Sequence, residues 1–244
     1  MKTGYKILTG LVFACLIAGV ILTMEKKATA KKQAETALNI IKANKSALDS
    51  ISQLIVVYND NPAETAAKLF AFEKKDSCWK VKYGPVKVHL GKDGFAAPGK
   101  KREGDEKTPT GLFGLGPLFS YEATVDTGLP FTQVSSDDKW IDDPESDDYN
   151  KHVCGRTEAR SFERLLLRSD AYKYCLVIDY NTSPVVRGMG SAIFFHLGSE
   201  PTGGCIDINE ENMKEILSWL TSEKNPHILM GCTKALLYTG KNNS

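Results

Sequence analysis

The apolar positions along the chain change their period more than once. Residues 7–24 contain no charged side chain, with Lys2 and Lys6 before them and Glu25, Lys26 and Lys27 after. As a helix such a stretch rises about 27 Å, close to the thickness of a bilayer core. From residue 31 to about residue 57, Ala34, Ala37, Ile41, Asn44, Leu48, Ile51 and Ile55 recur at steps of three and four. That stripe predicts an amphipathic helix, ended by the turn sequence Asn59-Asp60-Asn61-Pro62. Alternation then replaces the helical step. Residues 68–73, 78–83 and 86–90 alternate or nearly so and are rich in aromatic and β-branched side chains, with breaks at Asp76-Ser77 and Gly84-Pro85. They read as antiparallel strands. Further strands are expected at 110–115, 174–180, 191–196, 204–208 and 227–233. Two helices interrupt them. One covers 161–169, with Phe162, Leu165 and Leu166 on one face. The other starts near Asn209, with Glu210 and Glu211 in its first turn and Met213, Ile216, Leu217 and Leu220 on one face. Residues 121–160 show little periodicity and much Asp, Ser and Gly, so they read as a long loop or lid outside the core. The fold class is therefore mainly β, a β-rich α+β arrangement with one or two flanking helices behind an N-terminal helix.

The basic start and apolar run make residues 1–30 an export signal or a signal anchor. Ala28-Thr29-Ala30 resembles a cleavage site, although charges separate it from the apolar run. Lys2 and Lys6 would keep the N-terminus cytoplasmic and place the rest outside the inner membrane, anchored through residues 7–24 if uncleaved. Residues 31–62 then form a helical spacer, either a short coiled coil or a helix packed on the domain that follows. That domain spans 63–240.

Composition narrows the function classes. Of 244 residues, 42% are hydrophobic and 25% charged, which excludes a mostly disordered chain, and a net charge of +1 offers no nucleic-acid surface. Six cysteines are too few for a disulfide-built miniprotein. With Cys15 in the apolar run and Cys205 needed free, Cys78, Cys154, Cys175 and Cys232 could pair or stay as thiols. No CxxC or HxxxH spacing occurs, nor any phosphate-binding or dinucleotide fingerprint, so neither a metal nor a cofactor is expected.

One pair can carry chemistry. His196 closes the apolar segment GSAIFFH (190–196), and eight residues separate it from Cys205 in PTGGCI (201–206). An imidazole that takes the proton of a thiol makes it a strong nucleophile. Gly203 and Gly204 let the backbone come close to a substrate, and N–H groups there could hold an oxyanion. On spacing alone, such a pair is more often a core cysteine and a surface histidine.

The sequence around the pair resembles the L,D-transpeptidase (YkuD-type) catalytic domain of bacterial envelopes. The resemblance runs from about residue 68 to 237, through GKDGF (91–95), KREGDEKTPTGLF (101–113), Asp142-Asp143-Pro144, Tyr149-Asn150, VIDYNT (177–182) and the His196 and Cys205 segments. It implies a mixed β-sandwich with a catalytic domain over 63–240. Cys205 would be the nucleophile, His196 the base, and the N–H groups of Gly203 and Cys205 the oxyanion hole, with Gly204 between them. A backbone carbonyl near Leu197 or Gly198 would orient the imidazole. Thr202, Tyr180 and Asn181 would line the substrate pocket, and residues 101–111 could border it. The implied partners are peptidoglycan stem peptides and carbapenem β-lactams, in the periplasm or cell envelope. The implied reaction is stem-peptide transfer to an amine, the same chemistry ending in water, or binding without catalysis. The commonest family motif has a longer His–Cys gap, a second His where Gly203 stands and an Arg where Asp207 stands. Trp79, Trp140 and Trp219 read as packing residues, and His89 and His152 as structural or exposed.

Overall fold

In the computed structural model the backbone is described for residues 3–238 and the side chains for residues 23–237. Helix α1 (Thr3–Ala43) stops where Asn44 turns its amide onto the carbonyls of Ile40 and Leu236, both at 2.8 Å. A short turn, Lys45–Leu48, leads into β1 (Gln53–Asn59), whose seven residues are all buried. The helix expected to run to residue 57 therefore ends at Ala43. The run QLIVVYN is apolar and β-branched on both faces, and such a run suits a strand buried on both sides. Ala37, Ile40 and Ile41 of α1 pack with Leu54, Val56 and Tyr58 of β1 and Phe70 and Phe72 of the next strand. The stripe is thus used up within the chain, against the domain.

Strands β2 (Ala66–Lys75) and β3 (Cys78–His89) form a hairpin closed by Asp76 and Ser77, both at positive φ, as a tight hairpin turn requires. The break expected at Gly84-Pro85 is absent. β3 runs through it with a local register shift, and Gly84 faces the Leu69 carbonyl where a Cβ would sit 2.6 Å away.

The chain continues through β4 (Gly111–Ser120), β5 (Phe131–Gln133), β6 (Asp138–Ile141), β7 (His152–Cys154), β8 (Phe162–Arg164), β9 (Tyr174–Ile178), β10 (Phe194–Leu197) and β11 (Ile206–Ile208). Helix α2 (Glu210–Trp219), β12 (His227–Cys232) and α3 (Thr233–Tyr238) complete it. Asn209 caps α2 as expected, its side chain accepting from Asn212 N–H.

The large sheet runs β12-β1-β2-β3-β11-β10-β9-β4-β5, and β12 also pairs with β4, so the sheet closes on itself. Its pairings are mixed: β1 with β12, β10 with β11 and β4 with β5 are parallel, the rest antiparallel. Alternate residues of the closed sheet fill its interior, Phe195, Leu197 and Ile206 among them. Two apolar layers lie outside, one beneath α1 and one beneath the small sheet β7-β6-β8.

That small sheet corrects two expectations. Residues 121–160 are not an open lid: β6 is wholly buried, and Trp140, Ile141, Tyr149 and Asn150 are core. The helix expected over 161–169 is instead β8, held to β6 with Glu163 opposite Trp140 and Leu165 N–H on Asp138 O. Leu166 is left exposed. The reading of residues 1–30 as signal or anchor falls mostly on side chains outside the described residues. Among the described residues no helix is long and apolar enough to cross a membrane.

Candidate active site

Side chains alternate along a strand, so Phe194 and His196 of β10 point away from the interior filled by Phe195 and Leu197. β11 lies parallel to β10, with Phe195 opposite Ile206 and His196 opposite Asp207. Cys205, the residue just before β11, therefore comes out on the same face beside Phe194. The Phe194 N–H points at Sγ from 3.3 Å, and the thiol donates to Ala192 O at 3.3 Å. Among the described residues those are the partners of Sγ; the thiol and the imidazole share a face without being hydrogen-bonded to each other.

The imidazole is held from the other side. His196 Nδ1 lies 2.9 Å from the Leu197 carbonyl, the backbone partner expected from the sequence. Nδ1 donating there leaves Nε2 with its lone pair free to take a proton. The Tyr172 ring meets the imidazole edge to face with centroids 5.2 Å apart, and the Tyr172 hydroxyl bonds to Glu163 of β8. Burial pushes the Cys205 thiol well above its ordinary range, with Glu163 adding to the effect and Phe194 N–H and Lys101 opposing it. Burial also holds His196 below its ordinary value, partly offset by the Leu197 hydrogen bond and Asp207. Both shifts favour the uncharged forms, a thiol and an imidazole, the state from which a general base starts.

The turn before Cys205 is tied down by its own side chains. Thr202 Oγ1 donates to Cys205 O at 2.7 Å and accepts from Gly204 N–H at 3.0 Å. Thr108 donates to the same carbonyl at 3.3 Å and accepts from Gly91 N–H, so the 101–111 segment contacts the Cys205 backbone. Gly204 has φ +146, and a Cβ on it would lie 3.0 Å from Lys107 O, so the position needs glycine; Gly203 faces open space.

Tyr180 and Asn181, the candidates for the pocket wall, are held by hydrogen bonds of the 180–190 segment. Tyr180 OH donates to Met189 O at 2.6 Å and its ring meets Phe113. Asn181 bonds to Val186 and Gly190, bracing the 181–190 loop. His89 and His152 have the partners that sequence reading did not name. His89 Nδ1 is 2.7 Å from Asp207 Oδ1, and His152 Nε2 is 2.7 Å from Asp138 Oδ1. Asp207 also accepts from His89 N–H and Glu200 N–H, which pins the loop between His196 and Cys205. Its carboxylate is committed inward.

Asn150, part of the resemblance but given no role from the sequence, is a supporting residue. Its Oδ1 accepts from Trp140 Nε1 and from Ala192 N–H, while its amide donates to the carbonyls of Tyr180 and Asn181. It thereby fixes the residue whose carbonyl takes the thiol. Cys78, Cys154, Cys175, Cys205 and Cys232 are all unpaired. No group of three or more potential ligands among the described residues could hold a metal. A groove of about 530 Å³ between α1 and the β2–β3 hairpin, walled by Leu38, Ile41, Cys78 and Trp79, touches neither Cys205 nor His196.

A closed mixed sheet flanked by few helices, with a cysteine and a histidine on the outer face of two parallel strands, defines a β-rich domain class. Within it, this chain belongs to the YkuD family of L,D-transpeptidase catalytic domains, whose family model matches residues 54–233. The match begins in β1, the strand that periodicity had assigned to a helix. Family members act on peptidoglycan stem peptides, which implies an envelope location. Among solved structures, the helical cell shape determining protein Pgp2 from Campylobacter jejuni is similar at 14% identity and a TM-score of 0.39. The similarity covers 75% of this chain and 48% of that one, so the chain spans about half the length of that protein. No curated protein matches the sequence.

Proposed function

We propose that the chain is a peptidoglycan L,D-transpeptidase in which Cys205 forms a thioester with a stem peptide. The observation that carries this is the thiol at the end of the Gly203-Gly204 turn, on the same face as an imidazole held through Nδ1 by Leu197 O. His196 Nε2 takes the thiol proton as Sγ attacks an amide carbonyl carbon of the donor. The N–H groups of Gly203 and Cys205 hold the oxyanion. The C–N bond breaks, the imidazolium returns its proton to the leaving amine, and the acyl group stays on sulfur. An acceptor amine then attacks the thioester, gives its proton to His196, and the thiol is restored. Residues 7–24 would hold the enzyme at the inner membrane, or be removed after export.

Water in place of the amine would make the same enzyme a hydrolase. Incubating the protein with purified muropeptides and analysing the products by mass spectrometry separates the two. Crosslinked dimers are the expected product, and shortened monomers alone would show hydrolysis.

The His196 environment sets a pH expectation. A base whose pKa is lowered stays neutral to more acidic pH, so activity is retained above the lowered value and lost as pH falls through it. The acid limb of kcat/KM should therefore lie below about 6.5, the ordinary imidazole value. A limb above that value would mean the imidazole is solvated or paired with an anion in the working enzyme.

A strained β-lactam carbonyl offers the same thiol an acylation without turnover. A carbapenem should add one mass increment, on Cys205 alone, lost in Cys205→Ala and slow to form in His196→Ala. Acylation itself should be slow, because the Asp207 carboxylate stands where an Arg could have met the drug's carboxylate. An adduct on Cys78 or Cys154 instead would count against Cys205 as the activated thiol.

A further inference from the structure

Lys101 is 4% exposed, and a buried ammonium has to be paired and hydrogen-bonded to be tolerated. Nζ donates to Asp105 Oδ1 at 2.6 Å and to Arg102 O at 2.8 Å. Asp105 is itself held by the N–H groups of Arg102 and Lys107. A lysine–aspartate pair in a turn can sit in water with no burial at all. Here the stem instead fills the gap between two glycines that flank the thiol. A Cβ on Gly190 would lie 3.2 Å from both Cγ and Cε of Lys101, and one on Gly204 would lie 3.7 Å from Cε. Gly204 immediately precedes the nucleophile. Gly190 opens the segment that leads to Ala192, whose carbonyl receives the thiol hydrogen bond. The Lys101 stem therefore lies alongside both arms of backbone that present Sγ, in the space a side chain at either glycine would take.

Charge at the thiol comes from several elements. Glu163 on β8 and Asp207 on β11 oppose a thiolate, and Lys101 favours it. Tyr172 and Cys175 also lie within reach of its field, and His196 is neutral at rest. Among these neighbours Lys101 is the basic side chain whose charge favours a thiolate.

We propose that Lys101 is the positioning residue of the nucleophile: its stem sets the approach of the Gly190 and Gly204 backbones, and its ammonium keeps positive charge beside the Cys205 thiolate. The proposal rests on Cys205 being the nucleophile. It assigns Asp105 the opposite electrostatic effect, since that carboxylate partly cancels the ammonium.

The test is the rate at which iodoacetamide alkylates Cys205 in the full-length protein near pH 8.5, about the ordinary thiol pKa, read by peptide mass mapping. Exposed Cys78 serves as the internal reference. Lys101→Met keeps an unbranched stem and removes the charge; Asp105→Asn keeps the ammonium and removes its counter-charge. Loss of one neighbouring opposite charge moves a pKa by about one unit or more, so Lys101→Met should slow Cys205 alkylation roughly tenfold. Asp105→Asn should speed it, and Cys78 should react alike in all three proteins. A role limited to bracing the turn would loosen it in both variants and move both rates the same way, which would overturn the proposal. Thermal unfolding shows whether Lys101→Met folds; if it does not, an Asp105→Asn rate equal to or below wild type overturns the proposal by itself. Wild-type Cys205 that reacts only in denaturant, while Cys78 reacts freely, would overturn the nucleophile assignment and the role of Lys101 together.

Discussion

Cys205→Ala should abolish both acyl transfer and any hydrolysis, and His196→Ala should lower kcat/KM by roughly 10²–10⁴, the usual loss for a general base. The two effects differ in kind. Without Sγ there is no atom to carry the acyl group, and among the described cysteines none replaces it: Cys175 is fully buried, Cys232 is buried against Asp60 O, and Cys78 and Cys154 sit elsewhere on the surface. Without the imidazole the thiol remains, but burial keeps it protonated, so only the small ionised fraction can attack. The His196→Ala enzyme should therefore regain activity as pH rises, while Cys205→Ala should not. Kinetics of muropeptide turnover over a pH series check both statements. Activity in Cys205→Ala at any pH would remove the thioester from the mechanism.

Phe194→Ala should be the most damaging change that touches no reacting atom. Its ring is fully buried, meets Trp140 edge to face at 5.4 Å and Tyr172 at 5.7 Å, and lies beside Cys205. Truncating a buried Phe costs about 3–5 kcal/mol through lost transfer energy and the cavity left behind. That is a large share of the roughly 5–15 kcal/mol that keeps a domain folded. The cavity would open beneath Tyr172, whose ring braces His196, so activity should fall in molecules that remain folded as well. Urea unfolding gives the first effect, and kcat at a temperature where the variant is still native gives the second. Phe194→Leu should recover most of the stability. A Phe194→Ala protein as stable as wild type would mean that the small sheet does not pack on this face.

What could be read from the chain was whatever is local. Asn209 as a cap and the step from Met213 to Leu220 make α2 with little help from the rest of the fold. The PTGGCI turn and the histidine before it are recognisable because they resemble a family motif, spacing alone being too common to single them out. The misreadings share one cause, a partner far away in sequence. Ile55 fits a helical step, but it lies in β1, which gains pairing on both edges, from β2 and from β12. Phe162, Leu165 and Leu166 fit a helix, but Asp138 and Trp140 offer their backbone to a strand. The polar look of residues 121–160 hid a core built through hydrogen bonds, in which Asn150 serves Trp140, Ala192, Tyr180 and Asn181 at once. Asp207 illustrates the same limit within the site. Its departure from the commoner Arg was visible in the sequence, whereas its use, tying His89 and Glu200 to the loop, needed β3 brought alongside β11.

The most direct measurement is to mix the protein with a donor stem peptide, quench in acid within the first turnover, and map the acyl group by mass spectrometry. The expected result is one acyl increment on the peptide containing Cys205, labile to hydroxylamine, absent in Cys205→Ala and discharged when an acceptor amine is added. Product formation with no such increment at any quench time, or an increment on a different residue, would contradict Cys205 as the acyl carrier.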